Sequence, residues 1–308
     1  QSLETHLTSA PTATPKVSVL MTCYNAASTI EESVSSIIAQ TFSDWELVVV
    51  DNFSTDNSLT VVKNLNDDRI RIFALDKNHG RTPALSIALE NAHAEFVAIL
   101  DADDISSQDR LQQQFDFLTN NPNILVVGSW YRNIDQHGNL INEVRTPTTS
   151  VDVMRRMASD NPIVNSSAMF RKQSAQLVGG YNQKFLYAQD FALWLALASI
   201  GELAILPKFL TDIRRVTSSL SSISSNSLIL VADNYELYRQ AQKLPGLSLL
   251  NNLSGKRTVG LYGLLYAWRL LQARKLIRAL GLLIQNLWAL PLVAFELLRK
   301  GFKSLKSI

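Results

Sequence analysis

The sequence predicts an α/β fold in which a mostly parallel sheet is covered by helices on both faces. Four short runs rich in apolar and β-branched residues occur at residues 17–22, 46–50, 70–75 and 96–100. The segments between these runs carry helical patterns, and strands that alternate with helices indicate βαβ units. At 308 residues with 46% hydrophobic side chains, the chain is long and apolar enough to bury such a sheet.

Each segment between the predicted strands carries a helix signal. Ser28, Thr29, Ile30 and Glu31 form a capping-box pattern, and the apolar residues that follow them fall on one helical face. A second helix is expected over about residues 57–64. Thr82-Pro83 predicts a helix cap followed by a first-turn proline, in a helix that continues through residue 92.

Polar residues follow three of the predicted strands, at residues 22–25, 51–56 and 101–104. The carboxyl ends of parallel strands meet at one edge of a sheet, where open α/β sheets bind their ligands. The last of these loops contains Asp101, Asp103 and Asp104 directly after a run that predicts a buried strand. Carboxylates this close repel one another, and a hard divalent cation such as Mg²⁺ or Mn²⁺ would relieve the repulsion. An acidic turn that caps the next helix is the alternative.

The charge distribution separates an acidic body from a basic, apolar tail. The net charge is +2, but from residue 255 onward the chain has ten Lys/Arg and a single acid, Glu296, whereas residues 1–254 have 19 basic and 26 acidic residues. This pattern favours an anionic membrane surface over nucleic acid as a partner. The one cysteine, Cys23, excludes an intrachain disulfide and predicts a reducing compartment. Residues 1–15 read as a polar, disordered leader without a signal peptide.

Several common site signatures are missing from the sequence. The first strand is not followed by a glycine-rich dinucleotide turn or by a phosphate loop ending in Gly-Lys-Ser/Thr. The four histidines lack zinc spacing, and no Gly-x-Ser-x-Gly elbow occurs. A bound phosphate would therefore have to be held largely by metal.

Two long stretches carry a resemblance to a known family. VSVLMTCYNAASTIEESVSSIIAQTFSDWELVVVDNFSTDNS and NHGRTPALSIALENAHAEFVAILDADD resemble the nucleotide-sugar half of family 2 inverting glycosyltransferases, which have the GT-A fold. The likeness covers about residues 16–110 and continues more loosely through GSW, SAMFR, GGYN and AQDFALWL to about residue 221. It implies a GT-A domain over 16–225 that divides at 110 into nucleotide-sugar and acceptor halves. Outside the likeness, the composition predicts the leader over residues 1–15 and a helical, membrane-associating tail over 226–308.

The resemblance implies a metal-dependent, inverting transfer of sugar from a nucleotide-sugar donor, with a UDP-sugar favoured. The acceptor would be a carbohydrate or a lipid-linked saccharide, in cell-surface polysaccharide or glycolipid assembly. A binding or scaffolding protein of the same fold that has lost turnover is the alternative, motivated by Asn52, Gln189 and Val216, which depart from the family pattern. A nucleotidyltransferase would require the phosphate loop that the first strand lacks.

The same resemblance implies roles for individual residues at the donor site. Thr22 and Tyr24 would lie against the nucleobase of the donor, although Tyr24 could instead pack on the sheet edge. Asp51 and Asn52 match an acidic pair, and Asn52 in the second place leaves the identity of the base open. Arg81 would contact the diphosphate or ribose, or would be a solvated charge at a helix start.

The metal and the catalytic base are likewise implied by the resemblance. Asp101-Ala102-Asp103 matches the Asp-x-Asp motif, with Asp103 as ligand to Mn²⁺ or Mg²⁺ and Asp101 as a ribose contact or second ligand. Val216 stands where many relatives have a histidine ligand, so Arg214 or Arg215 could supply positive charge, or be surface charges. Asp190 would be the general base, with a plain helix cap as the alternative.

Two predictions, for Trp194 in the helix after Asp190 and for the C-terminal tail, have open alternatives. Trp194 is expected in the core rather than on an acceptor wall. Residues 279–298 approach membrane-spanning length but include Gln285, Asn286, Pro291 and Glu296, so we expect interfacial helices with Trp268 and Trp288 at headgroup depth. The protein would then be peripheral on the cytoplasmic face of the membrane. A soluble helical subdomain or a homodimer surface is the alternative for the tail.

Overall fold

In a computed structural model, the protein is described over residues 4–6, 14–215, 228–244, 253–273 and 275–291. The strands of this part of the chain join one sheet. They are β1 (Glu4–His6), β2 (Val17–Cys23), β3 (Trp45–Asp51), β4 (Ile70–Ala74), β5 (Phe96–Ile99), β6 (Ile105–Ser106), β7 (Ile124–Ile134), β8 (Leu140–Val144), β9 (Met169–Arg171) and β10 (Glu202–Arg214).

The strand order is β1-β4-β3-β2-β5-β9-β7-β10-β6, with β8 paired to β7 outside this path. Strands β4, β3, β2 and β5 run parallel, as do β7 and β10. β9 separates the two groups because it pairs antiparallel with both β5 and β7. The predicted mostly parallel sheet is confirmed, and the loops after β2, β3 and β5 lie at one edge of it.

Helices cover both faces of the sheet. They are α1 (Ile30–Ile38), α2 (Ser58–Asn64), α3 (Arg81–Asn91), α4 (Arg110–Asn120), α5 (Ser150–Met157), α6 (Lys172–Leu177), α7 (Gln189–Ala198), α8 (Leu228–Ala241), α9 (Leu253–Gln272) and α10 (Leu276–Asn286), with 3₁₀ turns at Asn165–Ser167 and Leu287–Ala289. Every residue of β3 is buried, with Val48 and Val50 in one core and Leu47 and Val49 in the other. Continuous burial of this kind is what a parallel strand covered on both faces requires.

Two helices begin differently from the sequence prediction, and the reason is tertiary. The N-cap of α1 is Thr29, but its hydroxyl donates to the carbonyl of Ala102 at 3.0 Å and makes no cap bond to α1. Helix α3 begins at Arg81 after Gly80, which has a φ of 87°. Thr82 therefore lies inside the helix, and its hydroxyl donates to the carbonyl of Phe185 at 2.7 Å.

The ends of the chain differ in part from expectation. Residues 4–6, inside the segment expected to be disordered, form β1 and pair antiparallel with β4, which gives that strand a neighbour on its outer side. The rest of the leader before residue 14 lies outside the described residues, as do Val216 and the segment 292–308. The described part of the tail is helical, as predicted, and α8 contacts α7 through the Phe191 and Tyr238 rings at 5.3 Å. None of the helices described is long and apolar enough for a membrane span.

Candidate active site

Three acidic side chains form a cluster directly after β5. The carboxylate oxygens of Asp101, Asp103 and Asp104 lie within 4.8 Å of one another. Asp104 is almost fully buried, whereas Asp101 and Asp103 are partly exposed. The loop that holds them is fixed at its backbone, because the Asp101 N–H donates to the Ser166 hydroxyl at 3.0 Å and the Ala102 carbonyl accepts from Thr29.

The acidic cluster is held by neighbouring donors. Arg81 forms an ion pair with Asp101 through Nη2, and the Asn165 amide donates to the other oxygen of that carboxylate at 2.9 Å. The Arg214 backbone N–H donates to Asp104 at 2.9 Å, and its guanidinium donates to the carbonyl of Asp103 at 2.9 Å. Arg214 is buried, so the alternative of a solvated surface charge does not hold for it.

A second buried arginine lies behind the cluster. The Arg110 guanidinium has no exposed surface and donates to the carbonyls of Ile99 and Ala168 at 2.9 and 3.0 Å and to Gln114 at 3.0 Å. Burial lowers the pKa of Arg110 to about 9, against the opposing effect of the Asp104 carboxylate. Arg110 therefore carries positive charge at neutral pH and joins the end of β5 to the residue that precedes β9.

Burial and mutual repulsion make two carboxyls of the acidic cluster, those of Asp103 and Asp104, reluctant to ionise. The pKa of Asp104 is raised well above its usual value, by burial first and then by the charges of Asp103 and Asp101. The pKa of Asp103 is raised by burial and by Asp101, while Arg81 and Arg214 lower it. The site thus has more negative charge than its surroundings readily neutralise.

The donor atoms of this cluster fit a hard divalent cation. All of them are carboxylate oxygens at close spacing, which Mg²⁺ and Mn²⁺ prefer over nitrogen or sulfur ligands. Among the described residues, no hydrogen-bond donor reaches the buried amide oxygen of Asn165, whose nitrogen is bound to Asp101. This unpartnered oxygen is a further potential ligand beside the three carboxylates.

Asp190 lies in the first turn of α7, one residue inside the helix. Its carboxylate accepts from the Asn161 amide at 3.0 Å. Burial raises the pKa of Asp190, although the Phe191 backbone N–H and Arg81 act in the opposite direction. The N-cap of α7 is Ala188, so the alternative that Asp190 is simply the helix cap is wrong.

Arg81 connects Asp190 with the acidic cluster. Burial opposes the charge on Arg81, but Asp101, Asp190 and Asp103 together outweigh burial and raise its pKa. With the Gln189 amide turned so that its oxygen faces Arg81 and its nitrogen faces the Tyr187 carbonyl, the oxygen accepts from Arg81 Nε at 3.2 Å. The carboxylates expected to bind metal and to act as general base therefore lie around the same guanidinium, and we call the space that they border the cleft.

The residues expected near the nucleobase of the donor lie at the carboxyl ends of β2 and β3. Thr22 is partly buried in β2, and Tyr24 is 50% exposed just beyond it. Asp51 is buried and accepts from the Cys23 thiol at 3.3 Å. The thiol is protonated, because burial and Asp51 raise the pKa of Cys23.

The Asn52 side chain is hydrogen-bonded to the loop between β4 and α3. Its amide oxygen accepts from the His79 backbone N–H at 2.9 Å, and its amide nitrogen donates to Asn78 at 3.0 Å. Each group has hydrogen-bonding capacity left for a ligand. The departure from an acid at this position has a structural use, since a second carboxylate could not donate to Asn78.

Sequence reasoning missed several residues of the cleft. Asn161, Asn165 and Ser166 contact the predicted site residues, and their only signal was a polar run ahead of an apolar strand. Tyr181 is buried, and within the described residues no group pairs with its hydroxyl. Burial, Asp190 and Asp101 raise the pKa of Tyr181. Trp194 is fully buried and donates to the Ile163 carbonyl at 3.1 Å, as expected of a core residue.

The chain resembles known glycosyltransferases in sequence. An "Uncharacterized glycosyltransferase" of Haemophilus influenzae is 30% identical over 222 residues, which cover 68% of this chain and 68% of that protein. The UDP-Glc:alpha-D-GlcNAc-diphosphoundecaprenol beta-1,3-glucosyltransferase WfgD of Escherichia coli is 29% identical over 213 residues, which cover 68% of this chain and 80% of that protein.

Solved structures show the same fold. The Staphylococcus aureus TarS fragment 1–349 in complex with UDP-GlcNAc superposes with a TM-score of 0.62 at 18% identity, over 80% of this chain and 71% of that one. The mannosyltransferase PcManGT of Pyrobaculum calidifontis, in complex with GDP-Man and Mn²⁺, gives 0.58 at 18% identity over 94% and 91%. The expected GT-A fold is confirmed. Residues 18–178 match the family model "Glycosyl transferase family 2", and with this match over half of its length the chain belongs to that family.

Proposed function

We propose that this chain is a metal-dependent, inverting glycosyltransferase that moves a sugar from a nucleotide-sugar donor to a saccharide acceptor. The observation that carries the proposal is the position of Arg81, which pairs with Asp101 and electrostatically couples Asp190 to the acidic cluster. A cation-binding cluster and a partly buried carboxylate in one cleft are the two groups that such a transfer requires.

The donor diphosphate would lie beside the acidic cluster, with Asp103 and Asp101 as the ligands to Mn²⁺ or Mg²⁺. The cation supplies neutralisation of the charge that develops on the departing diphosphate. The Asn165 side-chain amide holds the Asp101 carboxylate by a hydrogen bond, and the Arg214 guanidinium holds the Asp103 backbone by a hydrogen bond to its carbonyl. Arg81 would contact that diphosphate as a second positive group.

Asp190 would act on the acceptor. Its carboxylate takes the proton of the acceptor hydroxyl while the oxygen of that hydroxyl forms a bond to the anomeric carbon of the donor sugar, on the face opposite the diphosphate. The bond from that carbon to the diphosphate oxygen breaks, and its electron pair leaves with the diphosphate. One in-line displacement inverts the configuration. Asn161 holds the carboxylate in place through its bond at 3.0 Å.

For the nucleotide we propose uridine, in contact with Thr22 and Tyr24 and with Asp51 close by. The half-exposed Tyr24 ring offers a stacking surface at the end of β2. The related structures bind UDP-GlcNAc in one case and GDP-Man in the other, so the two nucleotide classes form the test. A thermal-shift comparison of UDP-sugars with GDP-mannose, with and without Mn²⁺, should give the larger shift for a UDP-sugar plus Mn²⁺. A larger shift with GDP-mannose would refute uridine.

The acceptor we propose is a saccharide of the kind used in cell-surface polysaccharide or glycolipid assembly, at the cytoplasmic face of the membrane. The E. coli relative acts on a GlcNAc-diphosphoundecaprenol. The single, buried, protonated thiol of Cys23 fits a reducing compartment.

The experiment that tests the function combines turnover with binding. The protein should hydrolyse or transfer sugar from the donor in Mn²⁺, and Asp103→Asn should weaken Mn²⁺-dependent UDP binding about tenfold or more, as loss of a charged ligand implies. Asp116→Asn, on the exposed side of α4, is the matched control and should change neither quantity. Tight binding of UDP with Mn²⁺ but no turnover with any donor would favour the alternative, a binding protein that has lost activity.

A further inference from the structure

Helix α10 packs against the rest of the tail with its small and polar side inward. Its buried residues are Ala279 and Asn286, and Ala289 in the following turn is also buried. The Asn286 amide donates to the Tyr235 hydroxyl of α8 at 3.2 Å and to the Leu282 carbonyl at 2.8 Å. A buried amide costs free energy unless it is paired, so this contact fixes which side of α10 faces inward.

The close approach of α9 and α10 depends on glycine. A Cβ atom on Gly263 would collide with the Asn286 side chain, and one on Gly260 would collide with Ala289. Helix α10 can therefore lie against α9 only with these small or paired residues at the contact. Rotation of α10 to bury a larger side would require a wider space between the two helices.

The opposite side of α10 is large, apolar and exposed. We call this the apolar stripe; its residues and exposed fractions are Leu276 64%, Ile277 92%, Leu280 60%, Ile284 61%, Leu287 52% and Trp288 48%. The spacing of three or four residues places them along one line of the helix. This arrangement is the reverse of that in an ordinary surface helix, whose apolar side faces the core.

The charges beside the apolar stripe select its partner. Lys275 and Arg278 are exposed at the start of α10, and no Asp or Glu occurs anywhere in residues 253–291. A second copy of the chain docked through the same stripe would add its own basic residues to this uniformly basic surface. An anionic lipid surface complements both features, because it accepts apolar side chains and attracts Lys and Arg.

We propose that the apolar stripe of α10 is a docking surface for an anionic lipid bilayer, with α10 lying parallel to the membrane plane. Ile277, Leu280 and Ile284 enter the boundary between headgroups and acyl chains, and Lys275 and Arg278 contact the phosphate groups. Trp288 and Trp268, each about half exposed, lie at headgroup depth.

Docking in this way holds the active site near the bilayer. The α8 side chain Asp233 accepts from the backbone N–H groups of Leu186 and Tyr187, just ahead of α7, which carries Asp190. Helices α10, α9, α8 and α7 pack in sequence at about 8–10 Å each, so α7 lies within about 30 Å of the stripe. As a consequence that rests on the proposed function, the acceptor is an amphiphile anchored in the same bilayer.

The test is co-sedimentation of the full chain with vesicles. We expect binding to phosphatidylcholine vesicles that contain about one-third phosphatidylglycerol, and weaker binding to phosphatidylcholine alone. Ile277→Glu combined with Ile284→Glu should lower the partition coefficient by about tenfold or more, since each replaces an apolar side chain that would enter the bilayer with a charged one. Lys275→Gln with Arg278→Gln should lower it roughly tenfold on the anionic vesicles and little on the neutral ones.

The matched control is Leu177→Glu, at the end of α6, where the side chain is 79% exposed but lies outside the stripe. This variant should bind vesicles as the wild type does. Equal vesicle binding by the stripe variants and the control would overturn the docking surface. If the wild type were a dimer in the absence of lipid and Ile277→Glu made it monomeric, the proposal would also be overturned. The stripe would then be the interface with a second copy of the chain.

Donor hydrolysis in solution separates this inference from the proposed function. The stripe variants should keep wild-type hydrolysis of the nucleotide sugar, because none of them touches the cleft, and should lose transfer only to an acceptor in vesicles. Vesicle binding without any turnover would leave the docking surface standing and refute the transferase proposal. Turnover that is equal with soluble and vesicle-borne acceptors in all variants would refute the consequence for the acceptor.

Discussion

Replacement of Asp190 by asparagine tests whether Asp190 is the general base. We expect the change to lower activity and to raise stability. The amide keeps the size of the carboxylate, and its oxygen can still accept from Asn161. It cannot take a proton from the acceptor hydroxyl. Loss of a positioned general base lowers kcat by about 10²–10⁴, which corresponds to roughly 3–5 kcal/mol of transition-state free energy. Steady-state transfer assays with the donor in excess measure this loss.

The stability of the same variant should rise at neutral pH. Burial raises the pKa of Asp190 in the folded protein above its value in the unfolded chain. The folded state is therefore favoured by this group below the unfolded pKa, and it loses that advantage as pH rises through the folded pKa. The introduced amide does not titrate, so the gain in unfolding free energy should be largest at neutral pH and vanish at about pH 3. Urea unfolding at several pH values measures it.

Asp160→Asn is the matched control for Asp190→Asn. Asp160 is close in sequence to Asn161, and it pairs with Arg156 on the surface at 2.6 Å. An exposed pair of this kind contributes little, so both activity and stability should stay near wild type. A kcat for Asp190→Asn within about threefold of wild type would refute Asp190 as the general base, because a positioned general base typically contributes about 10²-fold or more.

Three further predictions concern the surroundings of the base and the acidic loop. Gln189→Glu places a second carboxylate beside Asp190, so the acid limb of the kcat–pH profile should move to higher pH; an unchanged limb would contradict the coupling. Tyr181→Phe removes a buried, unpartnered hydroxyl, so chemical denaturation should show about 1 kcal/mol of added stability, whereas KM for one substrate should rise several-fold if the hydroxyl meets a sugar. Arg110→Met leaves two carbonyls and Asp104 without their buried cation, and urea unfolding should show a loss of about 3–5 kcal/mol, which a loss below about 1 kcal/mol would contradict.

The strands and the acidic loop could be predicted because their signals are local. The complete burial of β3 is visible as an apolar run, and Asp101 and Asp103 follow β5 directly in the sequence. The order of the sheet places the loops after β2, β3 and β5 together, so loops distant in sequence could be assigned to one edge. Strand identity and topology rules were sufficient for this part of the site.

The start of α2 was predicted correctly, but those of α1 and α3 could not be, because the residues that resemble their caps are used elsewhere. The hydroxyls of Thr29 and Thr82 bind carbonyls 73 and 103 residues further along the chain. A local capping rule assumes that such a hydroxyl stays with its own helix. In both cases the long-range bond fixes part of the cleft, since Thr29 holds the acidic loop at Ala102 and Thr82 holds the segment that leads to α7.

The arginines of the site were only partly predictable, for a related reason. Arg81 and Arg214 could be proposed from the resemblance, but Arg110 opens a helix in a sequence that looks like an ordinary surface helix start. Its burial depends on the carbonyls of Ile99 and Ala168, which only the paired strands β5 and β9 bring together. The sequence shows that residue 110 is positively charged, whereas the groups that pair with this charge are known only once the fold brings them together.

The charges of the cleft explain why a cation and a diphosphate would enter together. Within the described residues around the cleft, Asp101, Asp103, Asp104 and Asp190 face three guanidinium groups, those of Arg81, Arg110 and Arg214, and Arg214 also pairs with Glu32 at 2.5 Å. The surplus of acid agrees with the direction of the pKa shifts, since burial and repulsion raise the pKa of three of the four aspartates. With Glu32 counted, five acids face three guanidinium groups, so a divalent cation alone would cancel the surplus and a diphosphate alone would deepen it. The pair together leaves the balance nearly unchanged, so Mn²⁺ and UDP should bind with positive cooperativity, which calorimetry of each in the presence of the other would measure.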